Sequence, residues 1–129
     1  MANPVPTLSI PVSGSPPKAV ITLANFKGPL RLTIPDSAKL PAEGSVYAIL
    51  LDPEGSELTG GAIPVGEWVS PQQSAEPDEG EYRQNQNLKV ELYLERLQEF
   101  KGKTVQLGYQ GMGESGLPVD SDAISLQII

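Results

Sequence analysis

Apolar and polar positions alternate with a period of two along much of the chain. "LRLTI" (residues 30–34) puts Leu30, Leu32 and Ile34 on one side and Arg31 and Thr33 on the other. "LKVELYL" (88–94), "TVQLGYQ" (104–110) and "AISLQII" (123–129) repeat the pattern, with Val105, Leu107 and Tyr109 sharing one face and Ile124, Leu126 and Ile128 another. Side chains of a strand point alternately to its two faces, so each stretch predicts a half-buried β-strand. "AVITLA" (19–24) adds a strand rich in β-branched residues. "SVYAILLD" (45–52) is almost continuously apolar, which predicts a central strand covered on both faces or at a sheet crossing. "TLSIPV" (7–12) alternates, but Pro11 removes a ladder donor, so residues 1–17 read as an edge strand or an extended tail.

One stretch breaks the period. Leu94, Leu97 and Phe100 fall three apart and Gly102 follows, which predicts one or two helical turns near residues 95–101 with a glycine stop. Turn signals separate the strands: "DPEG" (52–55), with Pro53 set for the second position of a turn, Gly60–Gly61 with Pro64 inside "ELTGGAIPVGEWV" (57–69), and the "GMGESGLPVDSD" region (111–122). Residues 70–87 are almost wholly polar and read as one long loop, either functional or mobile. That gives seven or eight strands at roughly ten-residue spacing, the pattern of an all-β, antiparallel two-sheet β-sandwich with one short helical crossover. No internal repeat stands out, and 129 residues suit a single domain over 1–129.

Composition narrows the chemistry. The 13 prolines and 13 glycines suit many short strands joined by turns, and the scarcity of aromatics leaves a core of Leu, Ile and Val. No cysteine and no histidine are present. Disulfides, thiol nucleophiles, a Ser-His-Asp triad and an ordinary zinc site are therefore excluded within this chain. The net charge of −7 argues against nucleic acid and against an anionic membrane surface. The opening residues have no basic residue before Lys18 and no sustained apolar run, so they do not read as a secretory signal. No segment approaches the ~20 apolar residues of a membrane span. The expected location is the cell surface or exterior if the chain belongs to an exported protein, and otherwise the cytoplasm.

The C-terminal half resembles an immunoglobulin-like module of the kind repeated in large bacterial surface or adhesin-like proteins. The resemblance rests on "VELYLERLQEF", then "GKTVQLGYQ" (102–110), then "GMGESGLPVDSDAISLQI" (111–128), with "EGSVYAILLDPEGSEL" (43–58) upstream. It spans residues 28–129 and departs from the module by placing Ala48 and Leu50 where an aromatic is expected. It implies an immunoglobulin-like fold and a structural or adhesive role, and it carries over no functional residues. Leu97 and Phe100 would then plug one end of the sandwich.

Few residues suggest a site. Trp68, with Tyr82 nearby in the polar stretch, could form an aromatic platform for a sugar ring or a protein partner. Glu114, Asp120 and Asp122 are the weak candidates for calcium, which takes six to eight oxygens, although their spacing fits no EF-hand. Glu76, Asp78, Glu79 and Glu81 read as a solvated acidic cluster that could meet a cation or a basic partner. Glu91 and Glu95 lack the context of paired acid/base carboxylates. "GGAIPVG" lacks the lysine and following helix of a phosphate loop. The expectation is a non-enzymatic structural, adhesive or protein-binding module without a cofactor or metal. A carbohydrate-binding module using Trp68 and Tyr82 is the alternative, and a hydrolase working through carboxylates alone the remote one.

Overall fold

The computed structural model describes residues 3–14, 17–26, 29–69 and 80–129. Its strands are β1 (Thr7–Leu8), β2 (Lys18–Ile21), β3 (Leu30–Thr33), β4 (Ser45–Leu51), β5 (Glu57–Thr59), β6 (Ile63–Pro64), β7 (Gly66–Val69), β8 (Glu81–Gln84), β9 (Lys89–Leu92), β10 (Thr104–Met112), β11 (Val119–Asp120) and β12 (Ile124–Ile128). Between β9 and β10 lie one helical turn, α1 (Leu94–Leu97), and a 3-10 turn over Gln98–Phe100. The chain is all-β. Among the described residues no helix is long and apolar enough to cross a membrane.

The larger sheet has the order β2-β12-β10-β4-β5, with β11 beside β10 and β6 beside β4. The smaller has the order β1-β3-β9, and β7 and β8 form a separate hairpin. The inward rows of the two larger sheets meet in one core: Leu30 and Leu32 from β3, Val90 and Leu92 from β9, and Val46, Ala48, Leu50, Val105, Leu107, Ile124, Leu126 and Ile128 from the opposite sheet. The rows from β3, β9, β10 and β12 are the period-two positions of the sequence, whereas Val46, Ala48 and Leu50 alternate only in the structure.

The crossover also follows the sequence. Leu97 and Phe100 are buried, while Glu95, Arg96, Gln98 and Glu99 face solvent. Gly102 adopts φ +86, in the left-handed region that favours glycine, and its N–H donates to the Ile128 carbonyl at 2.6 Å. The turn thus ends against the last strand.

The structure differs from the sequence expectation at four places. The ladder is not uniformly antiparallel: β2 runs parallel to β12, pairing Lys18 with Ser125 and Ile21 with Ile128. The strands outnumber the expected seven or eight, because short pairings such as β6 and β11 carry no periodic signal of their own. β4 is central, but only Val46, Ala48 and Leu50 are buried. Ile49 is partly open and Leu51 exposed, since no second sheet covers that side. Finally, the polar stretch is not one loop. Residues 81–84 form β8, whose side chains are mostly exposed, so no apolar alternation announces it. Positions 70–79, including Glu76, Asp78 and Glu79, lie outside the described residues.

Two polar anchors tie distant parts of the chain together. Asp52 is the buried charged residue of the core, and its Oδ1 accepts from the Ser56 N–H at 2.7 Å and the Glu54 N–H at 3.0 Å. Lys103 Nζ lies 3.4 Å from its Oδ2. Burial alone would raise the Asp52 carboxyl. The hydrogen bonds from Ser56, Lys103 and Glu54 outweigh it and hold the group below the usual carboxylate range. Tyr109 is fully buried and its hydroxyl donates to the Pro4 carbonyl at 2.7 Å. Burial, with a contribution from Asp122, pushes this phenol up to about 12.

Candidate functional site

The β7–β8 hairpin is built unlike the rest. In register, Gly66 faces Gln84, Glu67 faces Arg83, Trp68 faces Tyr82 and Val69 faces Glu81. Trp68 and Tyr82 therefore share one face of the ribbon. Their ring centroids are 5.2 Å apart with planes at 78°, an edge-to-face pair. Each residue is 48% exposed. The other face is charged, with Glu67 and with Arg83 Nε 3.1 Å from Glu81 Oε1.

Glycines make this geometry possible. A Cβ on Gly80 would lie 2.5 Å from Trp68 Nε1, so the indole rests against bare backbone there. A Cβ on Gly66 would lie 2.1 Å from the Arg83 carbonyl oxygen and 2.9 Å from that of Ala42, where the hairpin leaves the body. The base is fastened by polar bonds. Gln84 donates from Nε2 to the Ala38 carbonyl at 2.7 Å and accepts at Oε1 from the Leu40 N–H at 3.2 Å. The Asn85 N–H donates to the Val65 carbonyl at 2.8 Å. The aromatic pair thus projects from a fixed root. It presents a surface for contact.

The remaining candidates are dispersed. Asp120 Oδ1 accepts from Gln110 Nε2 at 2.6 Å on the outer face of the large sheet. Asp122 is exposed and its N–H donates to the Asn3 carbonyl at 2.8 Å, while Glu114 is exposed in the loop before β11. Among the described residues no three acidic side chains come together in a group that could hold a metal ion. Glu91 lies 3.0 Å from Arg31 across the β3–β9 ladder, apart from Glu95 on α1.

A second feature escaped the sequence reading. Above Gly108 the outer face of the large sheet carries a shallow groove of about 330 Å³, lined by Ile49, Leu51, Gln106, Gln110, Asp120 and Ser121 among others. Beside it the Tyr47 hydroxyl is hydrogen-bonded to Gln110, and burial, together with the Glu57 and Asp120 carboxylates, raises this phenol above its ordinary value. These residues come from four strands distant in sequence, and only the sheet register reveals their proximity.

Comparison with known proteins adds nothing to this picture. No family model matches the chain, and no characterised protein or solved structure is significantly similar to it.

Proposed function

We propose that the chain is an immunoglobulin-like sandwich module of a bacterial protein, working without catalysis in a structural or adhesive role and contacting a protein partner through Trp68 and Tyr82. The strand order supports the fold assignment. In immunoglobulin terms β1, β3 and β9 stand where strands A, B and E do, and β12, β10, β4 and β5 where G, F, C and C′ do. The disulfide and the buried tryptophan of antibody domains have no counterpart, since Ala48 sits on β4 and no cysteine is present.

The observation that carries the functional reading is the half-exposed Trp68–Tyr82 pair on a hairpin whose described residues add no side chain to the core beyond the neighbouring Val65. Aromatic residues of this kind dominate protein interfaces, because they offer large contact area at low entropic cost. At 78° the two rings do not form one flat surface, which disfavours a glycan platform built from both of them.

Fluorescence tests the choice, since Trp68 is the one tryptophan. Titration with soluble β-glucan, chitin and galactan oligosaccharides should leave its emission unchanged. Cell-surface protein fractions should bind the immobilised chain, and Trp68→Ala and Tyr82→Ala should release them. Saturable quenching by an oligosaccharide would replace this reading with the carbohydrate-binding one.

A further inference from the structure

We propose that two copies of this chain pair through the outer face of the large sheet, about a two-fold axis running along β10. The pattern of side chains across that face is self-complementary. The register aligns Lys18, Ser125, Gln106, Leu51 and Glu57 in a single row, one from each of β2, β12, β10, β4 and β5. All five point outward: Lys18, Gln106, Leu51 and Glu57 are exposed and Ser125 partly so. The row has a cation at one end, an anion at the other and an uncharged middle. Its centre, Gln106, lies on the central strand.

A two-fold axis along β10 reverses the row without shifting it. Lys18 of one copy then meets Glu57 of the other, twice, and Gln106 meets its own symmetry mate. A two-fold axis perpendicular to the strands would instead set Lys18 on Lys18 and Glu57 on Glu57, so charge selects the first arrangement. Shape agrees with it. The large outward side chains sit on β4, as Leu51 and Ile49, and the small ones on β12, as Ser125 and the adjoining Ala123. Reversal places Leu51 over Ser125 and Ile49 over Ala123, beside the groove that Gly108 leaves open. In the next row Asp120 and Tyr47 flank Gln110, so reversal brings the Tyr47 hydroxyl towards the partner's Asp120.

The dimensions fit a modest dimer. Five strands about 4.8 Å apart span about 19 Å, and facing sheets pack about 10 Å apart, within reach of a Lys–Glu pair even at the ~30° angle usual for stacked sheets. The overlap of roughly 400 Å² of flat face per copy, roughly 800 Å² in total, is below the standard size of specific interfaces and in the range of weak, transient contacts, which implies a dissociation constant in the micromolar range or above. For a chain of net charge −7, a row that balances one cation against one anion lowers the repulsion between two copies brought face to face. The inference is independent of the hairpin.

Sedimentation equilibrium on the full chain, from about 10 μM to about 1 mM at low salt, reads the association directly. Dimers are expected, weakening as salt is added because the end pairs are exposed. Lys18→Glu and Glu57→Lys should each weaken the dimer about tenfold, and the double exchange should restore it, since the row is then merely reversed in sign. Leu51→Arg should abolish it. Each variant is at an exposed position, and its circular dichroism and melting temperature should match the wild type. A monomer throughout the range would overturn the proposal. So would a dimer indifferent to Leu51→Arg, or singles that the double exchange fails to rescue. Loss of the dimer in Trp68→Ala alone would move the contact to the hairpin and overturn it equally.

Discussion

The β4–β10 ladder and the β7–β8 hairpin are both antiparallel pairs, yet they stand by different means. Along β10 the inward residues Val105, Leu107 and Tyr109 are fully buried, and β4 answers with Val46, Ala48 and Leu50. Each such Leu or Val contributes on the order of 1.5–3 kcal/mol by leaving water. The hairpin has no fully buried side chain between Gly66 and Val69 or between Glu81 and Gln84. It is held by its ladder, by the Gln84 bonds to residues 38 and 40, and by the Trp68–Tyr82 contact. A two-stranded ribbon without a buried face is marginal alone. Among the described residues its aromatic pair stays half exposed, outside the buried core.

The first way to break that comparison is at the end of the core. Phe100→Ala should cost on the order of 3–5 kcal/mol, because the ring is buried in the core cluster that also holds Leu97 and its loss leaves a cavity. Glu99→Ala, next to it and exposed, should cost within about 0.5 kcal/mol. Urea melts of the two variants check this. A wild-type midpoint for Phe100→Ala would mean that the crossover is no plug.

The sheet rows that form the core were readable in advance because alternation encodes which side of a strand is buried. The helical step was readable from the spacing of Leu94, Leu97 and Phe100. What stayed hidden depends on register between distant strands. Glu81–Gln84 has no alternation of buried apolar residues, so its polar sequence read as loop. The parallel step of β2 beside β12 has no local signature, because both partners alternate as antiparallel strands do. The row from Lys18 to Glu57 draws on five strands and exists only once they are aligned. Trp68 and Tyr82 were singled out by residue type, but their direct cross-strand pairing required the hairpin that the polar stretch concealed.

A middle-sized effect is expected where the first residues are fastened to the central ladder. Tyr109→Phe removes the hydroxyl that donates to Pro4 and leaves that carbonyl to water, at a cost of about 0.5–1.5 kcal/mol. It should speed hydrogen exchange at Asn3 and its neighbours more than in β10. The same phenol gives an alkaline signature. Its folded pKa of about 12 lies above the ordinary value of about 10, so its stabilisation is complete below pH ~10 and is lost as pH rises from there towards 12. Thermal melts should show the wild type losing more stability over that window than Tyr109→Phe. Parallel curves would place the hydroxyl in water.

Asp52 supplies the acid-side counterpart. Its folded pKa is depressed, so its contribution is present above the ordinary carboxylate pKa of about 4 and is lost as pH falls below that through the folded value. Melting temperatures of the wild type should drop over this range. Asp52→Asn should be less stable at neutral pH and flatter in acid, because the amide keeps one acceptor for Ser56 and Glu54 but loses the charge opposite Lys103. Equal acid slopes would show that other carboxylates carry the transition.

A much smaller change in stability than at Phe100 is expected at the hairpin itself. Trp68→Ala removes a side chain that is about half exposed, together with an edge-to-face contact worth about 0.5–1.5 kcal/mol. Some of that loss is offset as the emptied site gains water and the aromatic pair's ordering is released, so the global midpoint should move by no more than about 1 kcal/mol. Local opening should be the clearer signal: amide exchange in Gly66–Val69 and Glu81–Gln84 should accelerate while β4 and β10 stay protected. Tyr82→Ala should do the same, and the double variant should cost less than the two singles together, since each single already breaks the pair. A loss from Trp68→Ala as large as that from Phe100→Ala would erase the contrast between the two ladders. The indole would then be part of the folding core and not a contact held out for a partner.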